Sequence, residues 1–119
     1  MNAHLLAGVL IALIYFTAGV IMMTKAGEPS SIFGYRTRTA RRNMDTWVEA
    51  NQFAGRSIMI VGSLLILLLL LLEGILPEPE GFYPALAVSI IVGSAIVFLL
   101  TEVHLKKIFF KDGKRRPYR

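Results

Sequence analysis

The sequence contains no cysteine, and it has few charged residues for its length. The absence of cysteine excludes disulfide bonds, thiol nucleophiles and thiolate metal ligands. Charged residues make up 18% of the 119 positions, against about 25% in an average soluble domain. Histidine occurs twice, at His4 and His104, and no P-loop or GxGxxG motif is present. The sequence therefore predicts no catalytic residue, no cofactor and no metal site, and we expect the protein not to be an enzyme.

Apolar residues, by contrast, are abundant: 55% of the chain is hydrophobic, and the mean hydropathy is +0.59. A chain of 13.2 kDa has too little volume for its surface to bury so much apolar area. A helix of about 20 apolar residues crosses the roughly 30 Å of membrane hydrocarbon. Three runs qualify, at about 5–23, 57–76 and 82–101. The predicted fold is an all-α integral membrane three-helix bundle, a single membrane domain over residues 1–119.

The first apolar run has an alternative interpretation as a secretory signal peptide, because Ala18 and Gly19 mimic a small-residue cleavage site. No lysine or arginine precedes the run, however, and it is longer than the usual apolar region of a signal peptide. We therefore expect the run to be retained as a helix.

Lysine and arginine lie on one side of the predicted spans. Six occur between the first span and the start of the second, and seven follow the third, which together account for all 13. In the segment between the second and third spans, the only charged residues are glutamates. We expect a multi-pass plasma-membrane protein. Since an excess of lysine and arginine marks the cytoplasmic side, its C-terminus would be cytoplasmic, and its N-terminus and a turn at 77–81 would lie outside.

The middle of each predicted span lacks ionisable residues, which disfavours a transporter. Polar side chains inside the spans are expected to bond a neighbouring helix or their own backbone. Small residues recur at intervals of four, which allows helices to approach closely; they are Gly8, Ala12, Ala85, Ser89 and Gly93. These faces pack either inside the bundle or against a second copy or another membrane protein, and the sequence leaves this choice open.

The cytoplasmic loop, at about 24–56, is long for so small a protein. Thr46 and Glu49 fit a capping box, with Asp45 as an alternative cap, and they predict a short helix at about 46–54. Trp47 and Phe53 beside basic residues suit a helix lying in the plane of the lipid headgroups. We therefore expect a short interfacial helix in this loop.

The same loop carries residues in an order that resembles the signature of the SdpI family of bacterial membrane proteins. The residues of this signature are Gly34, Tyr35, Arg36, Thr37, Asp45, Trp47, Asn51, Phe53 and Gly55. The chain looks like a short, single-unit member, and it departs from the family pattern at Arg38, where proline is common.

The resemblance implies a protein of the bacterial cytoplasmic membrane that acts by binding, in immunity to a peptide toxin, in membrane signalling, or in both. Its expected partners are then a peptide toxin or a repressor protein. The main alternative is a small accessory or structural subunit of a larger membrane complex. A small transporter component ranks third.

We expect the signature residues to form a folded recognition element. Gly34 permits a tight turn, and Arg36 can present its planar donors to backbone carbonyls, to the Asp45 carboxylate or to a lipid phosphate. Asn51, one helical turn from Trp47, can hold the loop by side-chain bonds to the backbone. The substitution Arg36→Lys, which keeps the charge, is therefore predicted to impair function or stability.

The other basic residues of the loop and of the tail at 102–119 lie next to the predicted spans. In that position they are expected to contact anionic lipid headgroups of the bilayer and not nucleic acid. These candidate headgroup contacts are Arg38, Arg41, Arg42, Lys106, Lys107, Lys111, Lys114, Arg115 and Arg116.

Overall fold

The computed structural model describes residues 3–24, 34–75 and 78–117. These residues form three α-helices, α1 (Ala3–Thr24), α2 (Met44–Ile75) and α3 (Pro79–Ile108), and the described ranges contain no β-strand beyond one isolated bridge. Each helix is long and apolar enough to cross a membrane. The prediction of an all-α fold with three helices long and apolar enough to span a membrane is confirmed. Parts of the predicted loop, turn and tail, at 25–33, 76–77 and 118–119, lie outside the described residues.

The predicted interfacial helix at 46–54 is absent as a separate element, because these residues form the first turns of α2. Asn43 caps the helix: its Oδ1 accepts the Thr46 N–H at 2.8 Å, and Thr46 Oγ1 accepts the Asn43 N–H at 3.1 Å. This reciprocal pair is a capping box that begins three residues before the predicted one. No proline follows within α2 to end the helix before the apolar run.

Two further boundaries differ from the sequence prediction. Helix α3 begins at Pro79, inside the predicted turn, because proline is pre-organised for the first helical position. It ends at Ile108, seven residues beyond the predicted end of the third span. The first part of the predicted tail is therefore helical.

Helices α1 and α2 pack antiparallel, with glycines where their backbones come closest. A Cβ atom added to Gly19 would lie 2.7 Å from the Gly55 carbonyl oxygen, and one added to Gly55 would lie 2.6 Å from the Gly19 carbonyl oxygen. No side chain fits in that space. Gly62, seven residues further along α2, lies against Phe16 with slightly more room, because a Cβ atom there would lie 3.2 Å from Phe16 Cβ. Helix α3 packs mainly against α2 and touches α1 little.

Polar side chains within the spans bond to neighbouring helices or to their own backbone, as expected. Tyr15 Oη and Ser94 Oγ are 3.0 Å apart and join α1 to α3. Thr17, Ser63 and Ser89 each donate to the carbonyl oxygen four residues earlier. These bonds satisfy the hydroxyl groups where lipid offers no partner.

The bundle is longer than the hydrocarbon layer of a membrane is thick. Its largest extent is 51 Å, whereas the hydrocarbon layer measures about 30 Å. One end, which we call the basic end, consists of the loop at 34–43, the first turns of α2, the last turns of α3 and the tail at 109–117. A buried apolar cluster holds these four segments together, and its members are Ala40, Trp47, Ala50, Leu105, Ile108 and Phe109. This cluster gives the basic end an apolar core of its own.

Candidate functional site

The loop at the basic end is attached to α2 through one buried amide. Asn51 is fully buried, and its Oδ1 accepts the backbone N–H of Tyr35 at 2.7 Å. Its Nδ2 donates to the carbonyl oxygens of Tyr35, at 3.3 Å, and of Trp47, at 2.9 Å. The amide thus pairs with both backbone groups of Tyr35, as a neighbouring strand would, and it is anchored to its own helix. A buried amide with all these partners fixes the position of the loop.

Glycine is required at position 34 for two independent reasons. Its φ angle is +122°, a region that L-residues rarely adopt. A Cβ atom there would also lie 2.5 Å from Asn51 Oδ1 and 3.3 Å from the Trp47 ring. The backbone of Gly34 therefore rests directly on the amide and indole of α2.

The side chains of Tyr35 and Thr37 attach the loop to α3. Tyr35 Oη donates to Glu102 Oε2 at 2.5 Å, and Thr37 Oγ1 donates to the same oxygen at 2.8 Å. Burial, together with the bond to the Glu102 carboxylate, raises the pKa of Tyr35 above its ordinary value. Tyr35 therefore remains a protonated donor across the physiological pH range. Glu102 was not among the predicted site residues, although it is the acidic residue nearest the end of the third apolar run.

Arg36 lies between these two anchored residues and is exposed. Within the described residues it forms no hydrogen bond or ion pair, and it does not reach Asp45, whose carboxylate is bound by Arg115. Arg38, Arg41 and Arg42 are exposed as well, and the three line a shallow open depression. The loop thus presents four arginines from a backbone that is fixed at Tyr35 and Thr37.

Trp47 belongs to the apolar core of the basic end and is not an anchor on its surface. The indole is fully buried among Ala40, Leu105, Ile108 and Phe109. It therefore joins the loop, α3 and the tail to α2, and its burial excludes direct contact with lipid or a partner.

A network of charged side chains joins the tail to α2 and α3. Arg115 donates from Nη2 and Nε to the two carboxylate oxygens of Asp45, at 2.7 and 3.1 Å, and from Nη2 to Glu49 at 3.3 Å. The bond to Asp45 raises the pKa of Arg115. The other oxygen of Glu49 lies 2.9 Å from His104 Nε2, and Phe53 stacks on the His104 ring at 4.1 Å. Asp45 and Phe53 thus connect the first turns of α2 to the tail and to the end of α3.

The tail folds back on α3 and the start of α2. Arg116 N–H donates to the Ile108 carbonyl oxygen at 2.7 Å, and Phe110 N–H donates to that of Lys114 at 2.8 Å. Asn43 Nδ2 donates to the Gly113 carbonyl oxygen at 2.8 Å, and Arg42 Nη1 donates to that of Lys111. The side chains of Lys106, Lys107, Lys111 and Lys114 remain exposed.

The small residues predicted for helix packing occupy different environments. Gly8 and Ala12 are buried in the core shared by α1, α2 and α3, together with Leu69 and Phe82. Gly93 faces α2, since a Cβ atom there would lie 2.9 Å from Val61 Cγ1. Ala85 and Ser89 are partly exposed on α3. Gly19 and Gly62 were not predicted as packing residues, although Gly55 and Gly62 are seven residues apart and so share a helix face.

Comparison with known proteins relates this arrangement to one family. The model of the SdpI/YfhL protein family matches residues 26–103, which include the loop, α2 and most of α3. The chain is 32% identical over 90 residues to the uncharacterized protein YfhL of Bacillus subtilis (strain 168), and the alignment covers 76% of each chain. No solved structure matches the chain.

Proposed function

Because this chain belongs to the SdpI/YfhL protein family, we propose that it acts by binding, in immunity to a peptide toxin, in membrane signalling, or in both. In this proposal it resides in a bacterial plasma membrane with the basic end in the cytoplasm. The one-sided distribution of lysine and arginine supports that orientation. The loop that carries Arg36 is the recognition element.

One observation carries the proposal: Arg36 is exposed between two residues that are both anchored to the bundle. Tyr35 and Thr37 bond to the same oxygen of Glu102. Residues two apart in an extended segment share one face, so the residue between them faces the other way. The loop therefore directs Arg36 away from the bundle.

A fixed backbone favours binding because the loop need not be ordered when the partner arrives. A guanidinium can also donate two parallel hydrogen bonds to a carboxylate or to backbone carbonyls, which a lysine ammonium cannot. A peptide or protein segment with such acceptors fits this surface. The requirement for a guanidinium separates recognition from simple charge attraction.

The experiment is a resistance assay in a deletion strain that is challenged with the culture medium of its parent. We expect deletion to cause sensitivity, and the wild-type gene to restore resistance. Arg36→Lys should restore little resistance, whereas Arg41→Lys, a neighbouring exposed arginine with the same change, should restore it fully. Immunoblots of membrane fractions check that both variants accumulate equally. Equal resistance with both variants would refute recognition by Arg36, and a resistant deletion strain would refute immunity.

The proposed orientation has a separate test, which uses the absence of native cysteine. A membrane-impermeant thiol reagent added to intact cells should label Glu80→Cys and leave Arg38→Cys unlabelled. The opposite pattern would place the basic end outside the cell and contradict the proposal.

A further inference from the structure

A cleft of about 380 Å³ opens at the basic end, between the loop, the last turn of α3 and the tail. Its floor is apolar and is formed by Leu105 and Phe109, both almost fully buried. Phe110, a residue that is 40% exposed, also lines the cleft. The volume is within the range of small-molecule sites, which is about 300–1,000 Å³.

Four cations surround this apolar floor: Arg42, Lys106, Lys111 and Arg116. No carboxylate is among the lining residues in the described part of the chain. Asp112, next to Lys111, accepts the Lys114 N–H at 2.9 Å and so is directed at its own turn. The cleft thus combines a positive rim with an apolar interior.

The cleft lies at the depth of the lipid headgroups. The third apolar run from Phe82 to Thr101 is 20 residues long and spans about 30 Å as a helix. Lys106 lies five residues further along α3, which is about 7.5 Å beyond the hydrocarbon. The headgroup layer is about 5–8 Å thick on each side. Lys106 therefore lies at the outer limit of the headgroup layer, within reach of lipid phosphates, and Leu105 of the cleft floor lies about 1.5 Å closer to the hydrocarbon.

We propose that this cleft binds one anionic phospholipid, whose phosphate contacts the four cations and whose glycerol and upper acyl chain lie on Leu105, Phe109 and Phe110. The charge of the rim and the depth of the cleft select this occupant over a zwitterionic lipid or a free anion. Because Arg42 and Lys111 join the loop to the tail, a bound lipid would also hold these segments together. The proposal does not depend on the immunity role.

The test is native mass spectrometry of the full chain in a non-ionic detergent, titrated with phosphatidylglycerol, phosphatidylcholine or inorganic phosphate. We expect one phosphatidylglycerol per chain, at least about tenfold tighter than phosphatidylcholine, and no competition from millimolar phosphate. Lys106→Gln with Lys111→Gln should weaken phosphatidylglycerol binding about 25-fold, about fivefold for each cation.

The matched control is Lys107→Gln with Lys114→Gln, which removes the same charge from exposed neighbours outside the cleft. This pair should change the affinity less than about twofold, in contrast to the cleft pair. Emission of the single tryptophan checks that all variants are folded. Equal losses in both pairs would overturn the proposal in favour of nonspecific attraction. Equal binding of phosphatidylcholine would overturn it as well, and so would saturation of the cleft by inorganic phosphate.

Discussion

Replacement of Gly34 by alanine tests the attachment of the loop most severely. The positive φ angle of Gly34 strains any L-residue by about 1–2 kcal/mol. The new Cβ would also lie 2.5 Å from Asn51 Oδ1, so the amide must move away. The Tyr35 N–H then loses its acceptor, at about 1–3 kcal/mol for a group left unsatisfied. The backbone strain and the lost hydrogen bond together cost about 2–5 kcal/mol, which is enough to detach the loop while the three spans remain helical.

Thermal unfolding in detergent measures this effect with two signals. Trp47 emission reports on the basic end, because the indole lies 3.3 Å from the position of the added Cβ. Far-ultraviolet circular dichroism reports on the helices. We expect Gly34→Ala to lower the midpoint of the emission change by several degrees or more and to leave the helical signal largely unchanged.

The control for this experiment is Gly74→Ala. A Cβ atom on Gly74 meets no heavy atom within 4 Å, and its φ angle is negative. Alanine there should leave both signals unchanged, or raise stability by up to about 1 kcal/mol through its better helix propensity. If Gly34→Ala behaved like Gly74→Ala in the Trp47 signal, the loop would not be held as described.

Three further predictions concern the remaining contacts of the bundle. Gly55→Ala should destabilise the α1–α2 pair by about 2 kcal/mol or more, because its Cβ would lie 2.6 Å from the backbone oxygen of Gly19; an unchanged unfolding midpoint would contradict that close approach. Trp47→Ala should cost about 3–5 kcal/mol through the cavity it leaves in the basic end, and a smaller loss would mean that the indole is not enclosed. The raised pKa of Tyr35 means that this side chain ionises first in the unfolded chain, so its contribution to stability should be constant below about pH 10 and fall above it. The Tyr35→Phe variant should be less stable than the wild-type protein at pH 8, and its stability should change less with pH in the alkaline range. Parallel pH profiles of the two proteins would refute the assigned bond between Tyr35 and Glu102.

The membrane fold was accessible from the sequence because its signals are local. Each apolar run is long enough to cross the hydrocarbon by itself, so three helices follow without knowledge of their contacts. Asn51 was predicted to hold the loop by side-chain bonds to the backbone, and its amide bonds to Tyr35 in the structure, beside Gly34. Sequence order and residue type were sufficient for these inferences.

The other contacts of the basic end depend on pairings between residues that are distant in the chain, and one sequence does not reveal such pairings. The Glu102 carboxylate accepts hydrogen bonds from two loop hydroxyls, which belong to residues 65 and 67 positions earlier in the chain. Arg115 bonds to Asp45 across 70 positions, so the carboxylate considered as a partner of Arg36 is bound by the tail. The prediction of a separate interfacial helix at about 46–54 was wrong for a related reason. Residues 46–54 continue through Gly55 into the apolar run as one helix, and Gly55 packs there against Gly19 of α1, 36 positions away.

The central claim is that the loop presenting Arg36 is folded onto the helices, and the backbone amide of Tyr35 tests it most directly. Nuclear magnetic resonance of tyrosine-labelled protein in detergent can follow hydrogen exchange at each of the four tyrosine amides, with Tyr35→Phe to assign the signal. The bond to Asn51 Oδ1 predicts that the Tyr35 amide exchanges at least about a hundredfold more slowly than in an unstructured peptide. Asn51→Leu should remove that protection. Exchange of the Tyr35 amide at the unstructured rate in the wild-type protein would contradict the account.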